Sequence, residues 1–208
     1  MTFDNRHQAG VLLADLVRLE GADTAYVLGL ARGGVVVAHA LALSLKLPLD
    51  VLVVKKISAP HEPELAIGAL APGNVSYVDR QLALGVGADQ EYIGTQINRL
   101  ADQIKEKTAL YRKGKKPLTV RDQTVILVDD GVATGATLEV AIRWVHKKRA
   151  RAVIAAIPVV PADVASKMKS DLDALIFLES PDQFGSVGQF YKDFPQVGDA
   201  EVVELLNQ

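Results

Sequence analysis

Apolar runs of strand length alternate with amphipathic stretches along this chain, and no other feature constrains its fold so tightly. Ala25–Leu30 (AYVLGL), Asp50–Ile57 (DVLVVKKI) and Thr124–Asp129 (TVILVD) each read as a buried strand, and Ala152–Val160 and Ala174–Leu178 are further strand candidates. Arg6–Glu20 places Val11, Leu12, Leu16 and Leu19 on one helical face and stops near Gly21. Gly33-Gly34 breaks the first strand, and Val35–Leu45 is apolar enough for a covered helix, although its β-branched start lowers helix propensity. Asp89 is positioned to cap a long helix that runs to Lys113 and ends at Gly114. Further helices are expected over Ala136–Lys148, from Pro161, and over Ala200–Leu206 with Asp199 as its cap.

Strand, glycine turn, helix, strand is a βαβ unit, whose crossover makes the two strands parallel. Repetition of that unit predicts an α/β fold, a doubly wound, mostly parallel sheet with helices on both faces, as one domain over 1–208. The pattern loosens over 58–74, where short runs at Glu64–Leu70 and Val75–Asp79 are expected to pair as a small β-excursion.

Composition narrows the function classes. The chain is 49% hydrophobic, enough for a core, and its formal charge of −2 supplies no overall field for nucleic acid. The absence of cysteine excludes disulfides, thiolate zinc sites and a cysteine nucleophile. No apolar run is long enough to span a bilayer as a helix, and MTFDNRHQAG lacks a signal-peptide core, so a cytoplasmic location without membrane contact is expected.

In a doubly wound sheet the ligand lies beyond the carboxyl ends of the strands. There Val125–Val128 runs into Asp129-Asp130-Gly131-Val132-Ala133-Thr134-Gly135-Ala136-Thr137. Two carboxylates at the lip of a buried strand suit a vicinal diol, or a divalent metal through its waters. The small residues after them leave backbone amides open at a helix N-terminus, where an anion is stabilised. Diol or metal binding beside phosphate binding is the chemistry of a sugar phosphate. The bland alternative is an acidic strand end followed by an ordinary turn and cap. No Lys follows the second glycine as in a P-loop, and Gly29-x-Ala31-x-x-Gly34 departs from the dinucleotide fingerprint.

VILVDDGVATGAT resembles the phosphoribosyl-pyrophosphate signature of type I phosphoribosyltransferases, and Gly29-Leu30-Ala31-Arg32-Gly33-Gly34 is similar to that family's pyrophosphate loop. ELAIG (Glu64–Gly68) and FGSVGQFYKDF (Phe184–Phe194) look like a bacterial branch of it. The resemblance covers roughly Tyr26–Pro158. It implies that 57–80 carries the family's lid and that 180–208 forms a hood or packing segment. By similarity Asp129 and Asp130 accept from the ribose hydroxyls and, through ribose or water, serve Mg2+. Val132, Ala133, Thr134, Gly135, Ala136 and Thr137 would hold the 5-phosphate, and Ala31, Arg32, Gly33 and Gly34 the pyrophosphate. The family's loop often contains a non-proline cis peptide, which here would fall between Ala31 and Arg32.

Lys55 and Lys56 end a strand, so one faces the site and the other turns away. Lys56 matches the family's basic residue, although an ordinary surface lysine fits the sequence equally well. The implied reaction displaces pyrophosphate from phosphoribosyl pyrophosphate by a nitrogen acceptor; a non-catalytic sensor of the same ligand is the alternative. Branches acting on 6-oxopurines often carry an Asp where this chain has Ala133. Phe184, Phe190, Tyr191 and Phe194 crowd the tail, where packing is favoured over base stacking. The run from His146 to Arg151 reads as a basic helix end rather than a nucleic-acid contact. A homodimer is expected from family habit.

Overall fold

The computed structural model describes residues 1–19 and 25–208. Its centre is a five-stranded parallel sheet in the order β2-β1-β6-β7-β8. The strands are β1 (Ala25–Leu30), β2 (Leu49–Leu52), β6 (Thr124–Val128), β7 (Ala152–Val159) and β8 (Ala174–Glu179). All four pairings are parallel, with Val27 opposite Leu49 and Ile126, and Ile126 opposite Ile154.

Strand side chains alternate between the faces, and because helices cover both faces of the central strands, β1, β6 and β7 are buried almost throughout rather than at every second residue. The edge strand β8 is half-buried and leaves Phe177 exposed. On one face Val27, Ile126, Val128, Ile154 and Ala156 pack under α1 (Arg6–Ala14) and α2 (Gly33–Leu45). On the other, Leu28, Leu30, Val125, Leu127 and Ala155 meet Leu138, Ala141, Ile142 and Val145 of α5 (Ala136–Lys147). Parallel neighbours need crossovers, and α2 and α5 supply two of them.

The 50–57 run is not one strand. β2 ends at Leu52, and after Val53-Val54 the chain enters β3 (Lys55–Ser58), which belongs to a separate antiparallel sheet with β4 (Ala66–Ala71) and β5 (Val75–Val78). Residues 51–54 are buried without interruption and Ile57 is buried again in β3, so the apolar pattern does not mark the change of sheet, although Lys55 and Lys56 are not buried as a core strand would require. The expected β-excursion is therefore real and larger by one strand. Ile57, Ile67 and Leu70 pack against Leu100 and Ile104 of α4 (Gln90–Arg112), while Ala69, Ala71 and Val75 share a core with α5.

Several helix limits differ from expectation. α1 closes at Ala14, six residues early, where the Leu13 carbonyl accepts from both Leu16 and Val17 amides. The predicted stop at Glu20-Gly21 lies outside the described residues. α3 (Arg80–Gly85), capped by the Asp79 carboxylate on the Leu82 amide, is too short to announce itself by periodicity. Asp89 caps α4 as expected, by accepting from the Tyr92 amide at 2.7 Å, and the helix ends at a left-handed pair, Lys113 at φ of 45° followed by the expected Gly114 at φ of 81°. α6 spans Ala162–Met168. In α7 (Asp199–Leu205) Gly198 occupies the cap position, and the Asp199 carboxylate instead accepts from Tyr111 Oη and Lys107 Nζ of α4.

The basic end of α4 is not merely solvated. Arg112 donates twice to the buried Asp50 of β2, at 3.0 Å on each carboxylate oxygen, and Asp50 also accepts from the amides of Val51 and Leu118. Among the described residues no helix is long and apolar enough to cross a membrane.

This bidentate pair joins α4 to the edge of the main sheet. Removal of one partner from a buried pair strands the other charge. Asp50→Ala is expected to lower unfolding free energy by about 3 kcal/mol in urea titration. A loss below about 1 kcal/mol would mean that the pair behaves as an exposed one.

Candidate functional site

The carboxyl ends of β1 and β6 lie side by side in the sheet, and the two loops that leave them meet in one cavity of about 370 Å³. Ala31, Arg32 and Gly33 form one wall, and Asp129–Gly135 with Thr137 another. Lys56 reaches in from β3, and Arg6, Val187 and Phe194 close the side. Of the residues expected at the site, only Gly34 and Ala136 do not line the cavity.

Gly34 lies behind the wall: a Cβ on it would stand 2.7 Å from the Val128 carbonyl oxygen and 2.8 Å from Asp129 Cα. At Gly33 a Cβ would overlap Oδ2 of Asp130. The glycine pair is thus what lets the two loops touch. α2 begins at Gly33, two residues before the expected start at Val35, so the pair lies within the first turn of the helix. The Ala31–Arg32 peptide bond is cis.

After β6 the chain turns through Gly131–Gly135 into α5. Gly135 has φ of 86°, a left-handed conformation that side chains rarely adopt, and a Cβ there would overlap Met168 Cε. The amides of residues 133–135 donate to no described residue, and α5 hydrogen bonding starts with Glu139 N–H to the Gly135 carbonyl. The open amides expected from the small residues are therefore present, with one subtraction. Val132 donates its N–H to the Val159 carbonyl at 3.0 Å, which removes it from the free donors.

The two acids differ in environment. Asp130 Oδ2 accepts from Arg6 Nε at 2.7 Å. The same guanidinium lies 3.6 Å from the centre of the Phe194 ring and donates through Nη1 to the Pro195 carbonyl. Among the described residues no cation forms an ion pair with Asp129, whose Oδ1 accepts the Asp130 amide at 2.9 Å. Burial, followed by the neighbouring Asp130 charge, pushes the Asp129 carboxyl well above the usual carboxylate range, and Lys56 pulls in the opposite sense. Tyr191 Oη donates to the Asp130 carbonyl at 2.6 Å, and burial raises its phenol.

Lys55 and Lys56 diverge as strand alternation requires: Lys56 lines this cavity, and Lys55 lines a hollow on the other side of the 31–32 loop. The tail aromatics pack on one another. Phe184 stacks on Phe190 and Tyr191 on Phe194, with Phe3 tilted against Tyr191. Phe194 has a guanidinium and a tyrosine against its ring, so packing accounts for it. Trp144, on α5 itself, packs half-buried against the core, and the His146–Arg151 run is the C-terminal end of α5 and the turn after it.

Arg6 was not legible as a site residue. The signal available was its position: a cation in the first turn of a helix opposes the helix dipole, so its place there calls for another partner. Among the described residues no group of three or more His, Cys, Asp or Glu is arranged to hold a metal ion.

The crystal structure of TT1426, a Thermus thermophilus protein, is 37% identical in sequence to this chain, covering 99% of it and 98% of its own length at a TM-score of 0.82. A Mycobacterium tuberculosis protein named as a "putative phosphoribosyl transferase" is 34% identical over 206 residues. That match takes in 99% of this chain and 46% of the relative, so the chain spans about half the length of the curated relatives it matches. The purine phosphoribosyltransferase of Pyrococcus horikoshii Ot3 shares the fold at 20% identity, covering 95% of each chain, with a TM-score of 0.50. Residues 8–194 match the model of the phosphoribosyl transferase domain, and the chain belongs to that family.

Proposed function

We propose that this protein transfers the 5-phosphoribosyl group of phosphoribosyl pyrophosphate to a nucleobase or similar nitrogen acceptor and releases pyrophosphate. The observation that carries this reading is the meeting, in one cavity, of a carboxylate pair, a run of open amides and a basic loop. A sugar phosphate that ends in a diphosphate has a complementary group for each of the three.

The amides of residues 133–135 and the Thr134 and Thr137 hydroxyls would take the 5-phosphate, at the start of α5, where the helix dipole favours an anion. Asp129 and Asp130 would accept from the ribose 2- and 3-hydroxyls. Arg32 and the 31–33 backbone would hold the pyrophosphate, with Lys56 beside it. Displacement at the anomeric carbon passes through an oxocarbenium-like state while negative charge grows on the leaving diphosphate. Fixed cations at that end lower the barrier because they are already oriented when the charge appears.

Hard oxygen donors suit Mg2+, and Asp129 is the acid without a protein cation of its own. Asp129, with Asp130 next to it, would hold the ion through ribose or water, and a bound Mg2+ would supply neutralisation of the diphosphate charge. The chain's own part is to position the ribose, to present the cationic wall and to shield the site from water. The 59–65 connection follows β3, beginning shortly after Lys56, and is the segment we assign as lid.

A pyrophosphate-release screen with Mg2+, phosphoribosyl pyrophosphate and a panel of bases and small amines tests the activity. Turnover with at least one acceptor is expected. Donor binding without turnover across the panel would make the chain a sensor, and no donor binding would overturn the reading.

Asp129→Asn separates the site from the fold. A carboxyl whose folded-state pKa is raised supports folding while protonated and loses that support as pH climbs from the ordinary carboxyl range towards the folded pKa. Asparagine stays neutral throughout, so the variant should be the more stable protein at neutral pH, with the gap closing in acid. Its donor affinity by calorimetry should fall at least tenfold, roughly 1.4 kcal/mol. Unchanged affinity would remove Asp129 from the site. Gly33→Ala should likewise weaken donor binding about tenfold, with its circular dichroism unchanged, because the new methyl displaces Asp130 from the loop.

A further inference from the structure

On the far side of the 31–32 loop lies a second hollow, of about 330 Å³, lined by Arg32, Lys55, Lys107, Tyr111 and Asp199 over a floor of Val53 and Val54. Four elements converge there: the pyrophosphate loop, β3, the last turns of α4 and the start of α7. Three cations face one carboxylate, and that carboxylate is already engaged. Asp199 accepts from Lys107 Nζ on one oxygen and from Tyr111 Oη at 2.7 Å on the other. Its hydrogen bonds from Lys107 and Tyr111 hold Asp199 below the usual carboxylate range, so it is ionised. Arg32 Nη1 forms a long ion pair with Asp199 at 3.9 Å, beyond hydrogen-bond distance. Lys55 forms no ion pair or hydrogen bond among the described residues.

The hollow therefore keeps an excess of positive charge, three cations to one carboxylate, with a guanidinium and an ammonium whose hydrogen-bond donors are taken by none of the described residues, beside a tyrosine whose hydroxyl is fixed. A planar fork and a point charge that converge on one space suit the tetrahedral oxygens of a phosphate. An ordinary structural ion cluster would end with its cations paired, as Lys107 and Asp199 do.

We propose that this hollow is a second anion-binding site, which takes a phosphate or diphosphate group separate from any bound beside Asp129. Arg32 borders both spaces. An anion in the hollow draws that guanidinium towards Lys55 and away from the cavity, so ligands at the two places weaken each other, and by linkage they do so equally.

Calorimetric titration with inorganic pyrophosphate, in buffer without divalent metal, tests this. The wild-type chain should bind two equivalents. Lys55→Ala and, separately, Lys55→Gln should each lose one of them or weaken it at least tenfold and leave the other. Lys56→Ala should affect the event that the Lys55 variants spare. Asp199→Asn supplies the contrary sign: it removes the competing carboxylate, so the Lys55-dependent event should tighten severalfold, whereas damage to a structural contact would weaken it. A single equivalent in the wild type, titrations of the Lys55 variants that match it, or a looser Lys55-dependent event in Asp199→Asn would each overturn the proposal. A Lys55-dependent event beside a second one that Lys56→Ala leaves unchanged would uphold this site and count against the donor cavity instead.

Discussion

The pairing of Arg6 with Asp130 is the contact on which the rest of the cavity depends. Two adjacent carboxylates at the end of a buried strand repel each other and resist desolvation, and a fold that places them there has to neutralise at least one. It does so with a guanidinium delivered from the first residue of α1, 124 residues away in sequence. That guanidinium also lies on the Phe194 ring and donates to the Pro195 carbonyl. One side chain thereby fastens the first helix, the end of the third strand in sheet order and the C-terminal segment to one another. The tail aromatics follow from this: Phe194 needs its other neighbour, Tyr191, and Tyr191 in turn reaches the Asp130 backbone and Phe3. Asp129 is left as the acid without a cation in contact, and it borders the cavity where a ligand can supply one.

Where the sequence was sufficient, the determining forces were local or uniform. The central strands of the parallel sheet are covered on both faces, so continuous apolar runs mark β1, β6 and β7 within a residue or two, and the half-buried edge strand β8 keeps enough of the pattern to be found as well. The same uniformity hid the break at Val53-Val54. The apolar residues run on through Val53-Val54 between the two sheets, and only the antiparallel partner β4, whose pairing the residue order does not encode, separates β3 from β2. α3 is under two turns long and carries no period to detect. Asp199 had the residue type and position of a helix cap, but Tyr111 and Lys107, brought close by α4, outcompete the backbone amides for its oxygens.

The candidate site divides in the same way. Asp129, Asp130 and the Gly/Thr turn are contiguous, so their joint chemistry is readable from the residue order, as is the glycine pair that opens α2. Strand alternation correctly separated Lys56 from Lys55. What the order of residues does not encode is which amides other strands consume: the Val132 N–H looked as free as its neighbours until β7 brought the Val159 carbonyl beside it. Arg6 belongs to the same class. Its cost at a helix start is visible in the sequence, but the carboxylate that offsets it is visible only in the fold.

Charge is where the whole-chain and local views diverge most. A net charge of −2 argues against any long-range pull on a polyanion. Yet Arg6, Arg32, Lys55, Lys56 and Lys107 all gather around the 31–33 loop. Low-dielectric walls concentrate the field of such a group, and ionic screening acts over about 8 Å at physiological salt, so distant acids on the surface do little to cancel it. Electrostatic selection in this protein is thus short-ranged and depends on shape: an anion must enter one of two hollows to feel the cations at all. The loop between them, with Arg32 common to both, makes the two spaces parts of one electrostatic unit rather than independent patches.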